Sequence, residues 1–112
     1  MAFDEDLADR VSAVLAELSD RVREQRMFGG IAFLVGGHMA CGIVGEELML
    51  RLGEEGADAA LDEQHVRPMD FTGKPMRTMV FVQPAALGSQ RELQAWVERA
   101  LAYVGTLPPK GA

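Results

Sequence analysis

Cysteine, tryptophan and tyrosine each occur once in these 112 residues, and aromatic residues make up only 6% of the chain. A lone thiol, Cys41, forms no internal disulfide and supplies no paired-cysteine zinc knuckle, so the expectation is a reducing compartment and a fold held by its own core. Long apolar runs are also missing. Nothing approaches the roughly 20 residues of a membrane span, and the acidic opening Met1-Ala2-Phe3-Asp4-Glu5-Asp6 is the opposite of a signal peptide. The expected location is the cytoplasm, away from any membrane. Basic charge is scarce as well, with 11 Lys and Arg against 17 Asp and Glu for a net charge of −6. Phosphate neutralisation supplies most nucleic-acid affinity, so direct binding to DNA or RNA is disfavoured.

What is present suits one ordinary domain spanning residues 1–112. Hydrophobic residues make up 48% and charged residues 25%, a globular composition. A chain of this length buries about 60–70% of the surface that its unfolded form exposes. The acid is concentrated: residues 46 to 63 hold seven carboxylates against Arg51 alone. Residues 64 to 82 turn weakly basic, with Arg67, Lys74 and Arg77 against Asp70, and His65 nearby. That group suits either a local anion site or, more simply, a solvated loop.

Periodicity supplies the elements. From Asp4 to about Glu24, the residues Leu7, Val11, Val14, Leu15, Leu18 and Val22 mark one face of a helix, with Asp4 as N-cap and acids in the first turn. Three short apolar runs follow, Ile31 to Val35, Met39 to Val44 and Glu47 to Leu52, separated by Gly36-Gly37 and Gly45-Glu46. These pairs suit two-residue hairpin turns, so the region reads as an antiparallel meander. Ala57 to Leu61 suits a short acidic helix, and Pro68 to Pro75 is punctuated like a loop. Met79 to Val82 reads as a strand, and Ser89-Gln90-Arg91-Glu92 has the form of a capping box. It opens a helix whose buried stripe is Leu93, Trp96, Val97, Ala100, Leu101 and Val104, stopped at Gly105. Amphipathic helices beside a sheet with one apolar face imply an α+β two-layer sandwich, mainly antiparallel, with helices on one face.

Residues with catalytic chemistry are few and scattered. His38 and Cys41 lie three apart in a strand, which puts them on opposite faces by simple alternation. A zinc site would need His38, His65, Cys41 and a carboxylate to converge without close paired spacings. Gly73-Lys74 lacks the upstream glycine and downstream Ser or Thr of a phosphate loop. Asp70 suits an Asx turn into Thr72-Gly73. Met69, Met76 and Met79, near Phe71, suit core filler ahead of an adaptable partner surface. No enzyme activity, cofactor or metal is expected.

The motifs Met27-Phe28-Gly29-Gly30 after an amphipathic helix, Gly37-x-Met39, Leu48-x-x-Arg51, Pro68-Met69-Asp70-Phe71-Thr72-Gly73-Lys74-Pro75-Met76, Trp96 and Leu107-Pro108-Pro109-Lys110 together resemble the N-terminal domain of the TfoX/Sxy family. That resemblance spans nearly the whole chain. It implies an α-β-β-β-α-β-β-α fold like that of secretion chaperones, no catalysis, and a regulatory role in bacterial competence exercised through protein contacts. Two-domain relatives are thought to act with the cyclic-AMP receptor protein. The expected partner is therefore another protein, a transcription factor among the candidates, with a homodimer as a further expectation. The expected partner surface joins the corner Met27, Phe28, Gly29 and Gly30 to the loop Asp70, Phe71, Gly73 and Lys74, edged by Arg51 and Arg77. The alternative is a small anionic ligand held by the Lys74/Arg77 loop.

Overall fold

The computed structural model describes residues 3–27, 29–71 and 74–108, and for Met27 and residues 70, 71 and 74–76 it describes the backbone alone. Helix α1 (Glu5–Leu18) is capped by Asp4, whose Oδ1 accepts from the Leu7 N–H at 3.1 Å. It buries Leu7, Ala8, Val11, Val14 and Leu15. The helix stops at Leu18 instead of running to Glu24, because Ser19 is extended and its hydroxyl accepts from the Arg21 N–H at 3.1 Å. Short hydroxyl side chains compete with the helical backbone in this way. Residues Val22–Met27 form strand β1, and Val22, which extends the helical stripe by one more turn in the sequence, packs opposite Val35 instead.

Strands β2 (Gly30–Val35), β3 (His38–Val44) and β4 (Glu47–Arg51) make the expected meander. Gly36 and Gly37 both have positive φ, 59° and 86°, the pattern of a type I′ turn. Helix α2 (Gly53–Leu61) starts four residues before the expected Ala57. Residues 68–71 and 74–75 are strand and not the expected loop: β5 (Val66–Phe71) and β6 (Lys74–Val82) pair with each other. A 3-10 turn (Pro84–Ala86) leads into α3 (Gln90–Val104). At its start, Ser89 and Glu92 complete the predicted capping box with two 3.1 Å bonds.

The six strands form one sheet in the order β1-β2-β3-β4-β6-β5, with every neighbouring pair antiparallel. The α+β class stands, with helices packed against the sheet. The element order has one strand more than the resemblance implies, namely β1. Along the register, Cys41, Leu50 and Val80 form one cross-strand row, and Ile43, Leu48 and Val82 form another. Both rows lie in the main core with Leu15, Phe33, Leu93 and Val97. The intervening row, Gly42, Met49 and Phe81, points to the other face. There Met49, Met69, Met79 and Phe81 form a second, smaller cluster flanked by Met39 and Val44.

Candidate functional site

Gly29 and Gly30 stand at the β1–β2 turn, where backbone geometry demands them. Gly29 has φ 75°, and a Cβ on Gly30 would lie 2.5 Å from the Ile43 carbonyl oxygen. The Met27 backbone belongs to β1, while Phe28 lies outside the described residues. At the β5–β6 hairpin the register sets Asp70 opposite Pro75 and Phe71 opposite Lys74. Gly73, and with it the expected Asx turn, lies outside the described residues, as do the side chains of Asp70, Phe71, Lys74 and Met76. Arg51 is opposite Met79, two residues beyond Arg77, and its guanidinium is 5.8 Å from the Tyr103 ring.

The two halves of the expected partner surface do not meet. β2 begins at the end of the sheet where β3 finishes, β4 starts and β5 starts; the β5–β6 hairpin is at the other end. β1 and β5 are also opposite edges, five strand spacings or about 24 Å apart. Residues 27, 29 and 30 and residues 70, 71 and 74–76 thus occupy diagonal corners. Arg51 and Arg77 belong with the hairpin corner alone.

The cations around that hairpin divide too. Arg67 is bidentate to Glu47, Nε to Oε2 at 2.7 Å and Nη2 to Oε1 at 2.6 Å, and lies 4.4 Å over the Phe81 ring. The hydrogen bond to Glu47 holds the guanidinium above its ordinary value. His65 faces a different hollow, lined by Glu63, Trp96 and Arg99, with φ 67°, the one non-glycine positive φ among the described residues. Arg77 lines a hollow of about 230 Å³ together with Glu54 and Asp58. Those carboxylates work against a small anion beside Arg77.

Simple alternation misplaces His38 relative to Cys41. A register shift between Phe33 and Leu34 sets Val35 opposite His38 but Phe33 opposite Cys41, so the extra residue Ala40 returns His38 and Cys41 to the same face. They still do different things. The His38 Nε2 donates to the Pro108 carbonyl at 2.6 Å, at a hollow of about 370 Å³ between the ends of α1 and α3. Cys41 is fully enclosed, and burial pushes its thiol from 9.0 up to about 12, so it carries no thiolate at neutral pH. Among the described residues no three His, Cys, Asp or Glu side chains converge as a metal site, and no helix is long and apolar enough to cross a membrane.

Sequence reasoning named Met69 and Met79 as core filler, and both are buried here, while the Met76 side chain lies outside the described residues; what it missed is that Met49 and Phe81 join them on a second apolar face. Alternation along β4 alone, with Met49 between Leu48 and Leu50, carried the signal that both faces are apolar. A model of the TfoX N-terminal domain matches residues 13–104. Neither a curated protein nor a solved structure matches the chain.

Proposed function

Because the chain belongs to the TfoX N-terminal domain family, we propose that it is a non-enzymatic adaptor that modulates transcription, in competence-type regulation, through contacts with another protein. The supporting observation is a second apolar cluster on the sheet to which, among the described residues, no helix contributes. An antiparallel sheet with one face in water normally alternates apolar and polar residues. Here the second face carries Met39, Val44, Met49, Met69, Met79 and Phe81, and methionine is the side chain that repacks most readily against varied partners. Arg51 and Arg77 stand at the hairpin end of this sheet, beside Tyr103 of α3 and Glu54 and Asp58 of α2, so they flank this face and would charge its rim.

Affinity capture from a bacterial lysate, with the wild-type chain against Arg51→Ala/Lys74→Ala/Arg77→Ala, tests this reading. A transcription factor retained by wild type and lost by the variant, at unchanged thermal unfolding, supports it. Nothing retained at low salt, or a loss that follows loss of folding, counts against it. The anion-binding alternative draws no support from Arg77, which shares its hollow with Glu54 and Asp58.

A further inference from the structure

The two edges of the sheet are protected to different degrees. At β5 the His65 carbonyl accepts from the Gln83 N–H at 2.8 Å, so residues 65 and 67 face β6 and residues 66 and 68 face outward. Pro68 occupies an outward position, where it removes the donor a pairing strand would need, and the register shifts immediately after it. At β1 the Arg21 carbonyl accepts from the Gly36 N–H at 3.3 Å. Residues 21, 23 and 25 therefore face β2, while Val22, Glu24 and Arg26 turn their backbone groups to the open edge. No proline and no register shift interrupts β1, and residues 23–26 are all exposed.

We propose that β1 pairs antiparallel with β1 of a second copy of this chain, on a two-fold axis at Gln25. The charge pattern selects that axis. Opposed residues must both face outward or both face β2, so the axis falls on a residue and not between two, and the exposed run offers Arg23, Glu24, Gln25 and Arg26. An axis at Arg23, Glu24 or Arg26 sets like charges directly opposite each other, which is destabilising. The axis at Gln25 faces one neutral amide with another and places Glu24 opposite Arg26 of the second copy, twice. Each of these is a hydrogen-bonded pair, so the bare donors and acceptors of both residues are satisfied. In the single chain Glu24 accepts from the Ser12 hydroxyl at 3.1 Å, and Arg26 stands 3.8 Å from Glu5 with its guanidinium 5.1 Å from the Phe3 ring. The two polar contacts are exposed, so a cross-strand partner can replace them while Arg26 keeps its place over Phe3. This inference does not rest on the adaptor reading, which concerns the helix-free face.

Sedimentation velocity of the full chain tests it. Wild type is expected at twice the 12.2 kDa chain mass, Glu24→Arg and Arg26→Glu each at the monomer mass, and the double exchange Glu24→Arg/Arg26→Glu back at the dimer mass. A monomeric wild type at every concentration, a dimer that survives either single exchange, or a double exchange that stays monomeric would overturn the proposal. Gln25→Cys decides independently of charge and of any folding loss in those variants. Non-hydrogen-bonded antiparallel partners lie about 4.5 Å apart at Cα, within disulfide reach, so this variant should cross-link in a glutathione buffer while Arg23→Cys does not. Enclosed Cys41 stays silent. Equal cross-linking of both variants, or of neither, rejects the axis.

Discussion

The same strands present two different faces. Towards the helices, β2, β3, β4 and β6 contribute Phe33, Ile43, Leu48, Leu50, Val80 and Val82, all without exposed surface. Away from them, Met49, Met79 and Phe81 keep 5–8% exposure and lean on partly buried Met39 and Val44. Branched and aromatic side chains with few rotamers specify one packing under a rigid helical layer; thioethers fill space without demanding one arrangement. The helix side holds the larger enclosed core, and the second face holds a smaller cluster rich in methionine.

Truncation should separate the two faces most strongly. Phe33→Ala removes a ring enclosed between sheet and helices and should cost about 3–5 kcal/mol, because the helical layer cannot collapse into the void. Met49→Ala should cost nearer 2 kcal/mol, since neighbouring methionines can move into the space. Urea unfolding measures both. Equal costs would mean that the helix-free cluster is packed as rigidly as the core.

Gly42 links the faces. A Cβ there would lie 2.6 Å from the Met49 methyl and 2.7 Å from the Ile31 carbonyl oxygen. Gly42→Ala should therefore destabilise by about 1–3 kcal/mol. Adding Met49→Ala should not restore the loss, because the carbonyl clash remains. Restoration would show that the strand spacing, not only the methionine, can give.

Cys41 tests the helix-side core through pH. Folding raises its pKa from 9.0 to about 12, so above pH 9 the unfolded chain releases a proton that the folded chain keeps. Stability is then fully present below about pH 9 and falls as pH rises towards 12, by about 1.4 kcal/mol per pH unit. The difference between wild type and Cys41→Ala isolates this slope from other titrating groups. A flat difference would mean that the thiol is reached by water.

Much of this comparison was legible in the chain. The Ser89–Glu92 box and the Gly36-Gly37 turn have local chemistry that fixes their structure wherever they occur, and both formed as expected. β1 was hidden because Val22 continues the helical spacing, while Arg23, Glu24, Gln25 and Arg26 form an edge strand exposed on both sides and show no alternation. β5 and β6 were hidden because Pro68 and Pro75 resemble loop punctuation, although an edge strand admits proline. The site was legible only in pieces. Spacing names the glycine corner and the hairpin, but strand order, which sets them diagonally apart, depends on β6 pairing with β4, and no local signal encodes that.

The smallest expected effect lies on the helix-free face. Arg67 clamps Glu47 and covers Phe81, yet its side chain is 46% exposed, so water screens most of the ion pair. Arg67→Ala should cost about 0.5–1 kcal/mol in thermal unfolding, from the lost stacking as much as from the lost charge. Arg67→Lys keeps the charge but neither the two-pronged bond nor the flat stack. It should therefore sit closer to the alanine variant than to wild type. Full rescue by lysine would mean that charge outweighs stacking, and would place this edge of the second face under electrostatic control instead of packing.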